Sequence, residues 1–153
     1  MHLSAIVALG LMVLGSHAIE KRSAPVRIAS VESRVDGKKL KMGDPKPALR
    51  AELEDALSGL DWKREAVGAP FEVLAVLADA ESTGTRDGAH VRCVVQVVIR
   101  EPSGALLGTV SGSARGQDTG PLRASLEREV LEAAAESASA AIPEAVRRSR
   151  RAR

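Results

Sequence analysis

The sequence predicts a single α+β domain, an antiparallel or mixed four-stranded sheet with two helices packed on one face, in the order β-α-β-β-β-α. Three observations lead there. Two stretches, Asp44 to Leu60 and Asp118 to Ala141, repeat apolar residues at helical spacing. Between them, His90 to Arg100 alternates with a period of two, as a half-covered strand does. That strand leads through Pro102-Ser103-Gly104 into a second extended segment, and such a hairpin cannot belong to a purely parallel sheet.

Val26 to Val35 carries Val, Ile and Ala in a pattern suited to a first strand, and Asp36-Gly37 ends it with a turn. Lys38, Lys39 and Lys41 beside that turn read as a solvated loop. Asp44-Pro45 supplies a capping residue followed by proline at the first helical position, after which Leu49, Leu53, Ala56, Leu57 and Leu60 form one apolar face. Glu52, Glu54 and Asp55 lie off that stripe and read as its solvated side. Ser58-Gly59 is the stop signal. After Trp62 and the Gly68-Ala69-Pro70 break, Phe71 to Leu77 is a nearly continuous apolar run of strand length. The polar stretch Asp79 to His90 is expected to be a loop.

In the next strand Val91, Cys93, Val95, Val97 and Ile99 share the core face, while Arg92, Val94, Gln96, Val98 and Arg100 form a mixed opposite face. Ala105 to Ala114 is the returning strand, lightened by Gly108 and Gly112. The closing helix is expected to run about twenty residues from near Asp118-Thr119, with Pro121 in its first turn. Leu122, Leu126, Val130, Ala134, Ser137, Ala138 and Ala141 trace its buried face. Pro143 is expected to break or kink it.

With 153 residues the chain has room for one domain and can bury a core without disulfides. That core must be aliphatic, since Trp62 and Phe71 are the only aromatic residues. The net charge of +2 is less informative than its distribution. Arg147, Arg148, Arg150, Arg151 and Arg153 crowd the last seven positions, and removing those five from the 22 basic residues leaves 17 against 20 acidic ones. The basic balance therefore belongs to a tail. A nucleic-acid reader would instead carry a basic face with stacking aromatics on the domain, so no nucleic-acid partner is expected. The lone Cys93 forbids an intramolecular disulfide and a cysteine-based zinc site, and its place among valines points to burial.

Leu3 to Leu14 is an apolar run of about a dozen residues, the length of a signal-peptide core and short of the ~18 needed to span a bilayer. Ser16-His17-Ala18 resembles a cleavage site, with Ala18 the last residue lost. The alternative is a buried helix. Val13-Leu14-Gly15-Ser16 has the look of a lipoprotein signal with serine where the lipid-bearing cysteine would stand. The organisation expected is thus a signal peptide over residues 1–18, a linker over 19–25, the domain over 26–146 and a basic flexible tail over 147–153. No transmembrane segment is expected to remain after cleavage, and the location expected is periplasmic or secreted.

Catalytic and metal-binding patterns are thin. His90 is the only histidine of the mature chain, and its separation of three from Cys93 puts the two on opposite strand faces. Gly108 to Ser113 lacks the G-x-S-x-G frame of a nucleophile elbow and the ending of a phosphate loop. Asp79, Glu81 and Asp87 offer hard oxygen donors, but in no calcium-loop spacing. No catalytic residue, cofactor or metal is therefore assigned.

The segments Val91-Arg92-Cys93-Val94-Val95, Pro102 to Gly108 and Val110-Ser111-Gly112-Ser113-Ala114 resemble a family of short exported myxobacterial proteins of unassigned function. More loosely, the helix, strand, hairpin and helix order looks like the small periplasmic domains of penicillin-binding-protein activators and curli-export lipoproteins, which act by binding other proteins. What these resemblances imply is a non-enzymatic envelope or secreted protein working through contact with another macromolecule, most simply another envelope protein. The competing reading is a small exported hydrolase. The terminal arginines Arg147, Arg148, Arg150, Arg151 and Arg153 are the candidate contact residues, for weak attraction to an anionic surface.

Overall fold

A computed structural model describes residues 24–120 and 123–153. The expected signal peptide, most of the expected linker, Pro121 and Leu122 lie outside the described residues. The domain opens with β1 (Val26–Ser33) and a 3-10 turn at Gly37–Lys39, where the Asp36 carboxylate accepts the Lys38 amide at 2.9 Å. α1 (Lys46–Ser58) begins where Asp44-Pro45 predicts. The Asp44 carboxylate accepts the Lys46 amide at 3.1 Å, and the Pro45 carbonyl accepts the Leu49 amide at 2.9 Å. Leu49, Leu53 and Leu57, one turn apart, are all buried.

A one-turn helix, α2 (Trp62–Glu65), is absent from the predicted order. Asp61 caps it by accepting the Arg64 amide at 3.2 Å, and Trp62 donates its indole N–H to the Leu57 carbonyl at 2.8 Å, fastening the turn to the end of α1. The same indole meets Phe71 edge-on, with centroids 5.8 Å apart. These two aromatics seal the end of an otherwise aliphatic core.

Three long strands follow: β2 (Phe71–Thr85), β3 (Gly88–Arg100) and β4 (Leu106–Asp118). The sheet order is β1-β2-β3-β4, with β1 parallel to β2 and the other pairs antiparallel, so the sheet is mixed. α1 and α2 carry the crossover that a parallel neighbour requires. The expected loop from Asp79 to His90 is instead the far half of a hairpin. β2 continues past a register shift between Leu77 and Asp79, turns at Arg86-Asp87, and pairs Thr85 with Gly88. Its residues are polar because one side faces water, and backbone pairing with β3 does not depend on their side chains.

The closing helix α3 (Arg123–Arg151) is 29 residues long and lies across β3 and β4, with α1 against it on the same face of the sheet. Its buried side includes Leu126, Val130, Ala134 and Ala138 as expected, but also Glu127, Leu131, Ala135 and Ile142, whereas Ser137 is exposed. Pro143 does not end it. The ring is buried and Ile142 and Val146 are wholly buried beside it, so packing on both sides holds the helix through the missing hydrogen bond. Gly112 permits the closest approach of helix to sheet. A Cβ there would fall within contact distance of the Ala134 carbonyl and the Ala138 amide, and would stand 3.0 Å from the Ala138 Cα.

Cys93 sits on the core face with Val91, Val95 and Val97, as the alternation predicts. Burial, reinforced by the negative charges of Glu127 and Asp79, pushes its thiol up to about 11 from an ordinary 9.0. Two results follow. A thiol reagent at neutral pH should react slowly with the native protein and rapidly once denaturant is added. In alkali the unfolded thiol ionises first, so the unfolded state holds fewer protons than the native one and stability should fall as pH rises from about 9 to 11. A Cys93→Ala variant, followed by denaturant melts at each pH, should lose that component of the decline.

Candidate functional site

Both long helices cover one face of the sheet, and the other face is left without a described partner. The strand period fixes what it presents. Leu74 and Val76 on β2 and Val94 and Val98 on β3 form a half-buried apolar strip, and Leu106 on β4, 61% exposed, is the one well-exposed large apolar residue among the described residues. Gln96 pairs with Ser111, and Val94 with Ser113, so the strip passes into a hydroxyl-lined flank on β4.

Ion pairs frame the strip at both ends. At one, Glu72 on β2 is clamped between Arg27 of β1 and Arg100 of β3, with the Arg100 Nε donating at 3.1 Å. The Arg27 hydrogen bond chiefly, and then the Arg100 hydrogen bond and both charges, outweigh the effect of burial and hold the Glu72 carboxyl below its ordinary range. At the other end Arg92 donates to Asp79 at 3.2 Å, and Glu81, His90, Arg115 and Gln117 border a shallow recess of about 380 Å³. Three strands must come together to build this frame, so spacing along the chain gives no sign of it.

The terminal arginines, expected to form a flexible tail, are a correction. α3 runs to Arg151, and three of the five side chains are tied to the domain. Arg147 donates to the Glu65 carbonyl at 2.7 Å, to the Glu65 carboxylate at 2.8 Å and to Glu144 at 3.0 Å. Arg150 donates to the Val67 carbonyl, and Arg153 to Glu101 at 2.9 Å and to the Leu106 carbonyl at 3.3 Å. The end of the helix thus secures α2, the segment before β2 and the β3–β4 turn, because the loops there offer acceptors to its guanidiniums. Arg148 and Arg151 face outward. Deleting the residues after Val146 should therefore lower the melting temperature by several degrees, and an unchanged melt would contradict this docking.

Glu127 was not singled out by the sequence. It is 1% exposed, and its carboxylate accepts the Lys41 amide at 3.1 Å, the Met42 amide at 2.8 Å and the Ser82 hydroxyl, with Arg123 3.6 Å away. It pins the loop before α1 and the far part of β2 to the first turns of α3. The signal was its phase: Glu127 stands four, seven and eight residues before Leu131, Ala134 and Ala135, on the buried stripe. As for the weaker candidates, His90 is exposed while Cys93 is buried, and Asp79 is engaged by Arg92 on a strand rather than in a loop.

No family model matches the chain, and no curated protein sequence matches it significantly. The comparison with solved structures gives three neighbours. A candidate lipoprotein from Caulobacter crescentus is 14% identical with a TM-score of 0.50, over 85% of this chain and 93% of that one. A minor lipoprotein from Acinetobacter baumannii is 13% identical with a TM-score of 0.45, over 78% and 94%. PelC from Paraburkholderia phytofirmans, solved as a dodecamer, is 12% identical with a TM-score of 0.37, over 71% and 86%. The Caulobacter protein shares the α+β fold; none of the three bears on the myxobacterial resemblance. Among the described residues no helix is long and apolar enough to cross a membrane.

Proposed function

We propose that the protein is an exported envelope or secreted component that acts without catalysis, seating another envelope protein on the uncovered face of its sheet. The observation that carries this reading is the strip of Leu74, Val76, Val94, Val98 and Leu106, apolar on a face that no described element covers and framed by ion pairs. The apolar segment from Leu3 to Leu14 and the fold shared with a candidate lipoprotein support the envelope setting. Serine at position 16, where a lipid-bearing cysteine would stand, favours a form released after Ala18 over a lipid-tethered one. Arg148 and Arg151 add outward positive charge that would favour an anionic surface at low salt.

Photo-crosslinking in intact cells tests the proposal. A photoreactive residue replacing Gln96, in the middle of the open face, should give one discrete adduct, and the same residue replacing Glu129 on the solvent side of α3 should not. Equal labelling from both positions, or none from Gln96, would count against the sheet face as the contact.

A further inference from the structure

The two edges of the sheet are built differently. β1 is eight residues long, breaks register between Ile28 and Ser30 and carries Arg27 and Glu32, devices that keep an edge from pairing further. β4, the opposite edge, runs 13 residues, and from Leu106 to Ala114 it holds neither a charge nor a proline. Among the described residues, the one hydrogen bond that reaches its backbone from outside the sheet is that of Arg153 to the Leu106 carbonyl, at 3.3 Å. The N–H and C=O groups along its outer side are therefore open to another strand.

A second observation comes from the helical layer. Gly112 lies under Ala134 and Ala138 of α3. Ala133, Ser137 and Ala141 continue around the helix on the side away from α1, which Glu132 and Glu136 face. Small side chains thus stand above the middle of the edge, where the helix of a second molecule would have to pass. Val110 and Ala114, on either side of Gly112 and on the same face of the strand, are left half-buried at the rim of the core.

A copy of the same strand fits this edge. After the register shift at its start β4 is regular from Gly108 onward. Antiparallel pairing about a two-fold axis at Gly112 sets Val110 against Ala114, Ser111 against Ser113 and Thr109 against Arg115 of the second copy. Apolar meets apolar, hydroxyl meets hydroxyl and no like charges oppose. Residues directly opposite share a face, so the open faces of the two copies lie side by side and stay free for the sheet-face contact. The blunted β1 edge closes the assembly at two. Nine paired residues span about 30 Å and the two layers about 20 Å, so each copy would bury on the order of 600 Å², the low end for a specific pair.

We infer that β4 is a self-association edge, pairing with β4 of a second copy to join the two four-stranded sheets into one. The inference stands independently of the sheet-face contact.

Sedimentation of the purified chain over a range of concentrations is the test. An interface this small and polar should hold with a Kd of about 50 µM, so the chain should be a monomer at ~5 µM and mostly a dimer at ~500 µM. A Ser111→Lys/Ser113→Lys variant sets ammonium groups against each other across the axis and should stay monomeric throughout, with a melting temperature close to wild type because both positions are exposed. When Ser111→Cys and Ser113→Cys proteins are mixed and oxidised, the mixed disulfide should form about fivefold faster than either like pair, since only unlike positions stand directly opposite. Cys93 is buried and takes no part. A wild-type chain that remains monomeric would overturn the inference and leave the edge to an unlike partner. A lysine variant that dimerises as well as wild type would overturn it too, and like pairs that form as fast as the mixed one would overturn the register. In a dilute envelope extract the pair is dissociated, so sizing there, and crosslinking from Gln96, read the sheet-face partner alone.

Discussion

Substituting valine for Gly112 is expected to destabilise the domain by about 3 kcal/mol, the upper end of the usual overpacking range. A side chain introduced in place of Gly112 would have to occupy space already taken by the α3 backbone at Ala134 and Ala138. A clash with a flexible side-chain tip can relax, but one with helix backbone cannot without moving the helix. Such a movement would open the packing of Ala134, Ala135 and Ala138, all wholly buried. Urea melts should show a lower midpoint with an unchanged slope, and a loss under about 1 kcal/mol would mean that α3 sits farther from β4 than described. Gly108→Ala makes a useful control, since a Cβ there would meet only the Ala145 methyl at 3.7 Å.

Replacing Glu127 with alanine should cost a similar ~3 kcal/mol, equivalent to roughly 10 °C in a domain of this size. The loss combines two backbone donors, at Lys41 and Met42, with the Ser82 hydroxyl and the neighbouring Arg123 charge. Glutamine keeps one acceptor oxygen and should recover part of the stability. Hydrogen exchange adds a local readout: the Lys41 and Met42 amides should lose protection in Glu127→Ala more than amides in the centre of β3 do. Equal protection at Lys41 and Met42 in both proteins would show that the carboxylate does not hold this loop.

What could be read from the chain was whatever a period or a breaker encodes. The leucines of α1, the alternation of β3 and the Pro102 to Gly104 turn placed three elements and the core face directly, because burial on one side imposes those periods. Polarity misled where it reflected exposure rather than irregular backbone. Asp79 to Thr85 pairs along its length with β3, yet it looks like a loop because it has little apolar surface to bury. The arginine cluster misled for a related reason: like charges in a row suggest a solvated tail, and the acceptors that hold Arg147 and Arg150 are the Glu65 and Val67 carbonyls more than eighty residues away. The uncovered sheet face was half legible. The mixed character of Arg92, Val94, Gln96, Val98 and Arg100 was visible in sequence, but the frame around it needed Arg27 and Glu72 from neighbouring strands.

Whether a partner protein is seated on the uncovered sheet face can be decided by sizing the native protein extracted from the envelope under non-denaturing conditions. A Val98→Thr/Leu106→Asp variant disturbs only side chains on that face, one half-buried and one exposed. The wild-type chain should elute in a species larger than its monomer, and the variant, with a melting temperature close to wild type, should elute as the free domain. A variant that stays folded and remains in the larger species would contradict it.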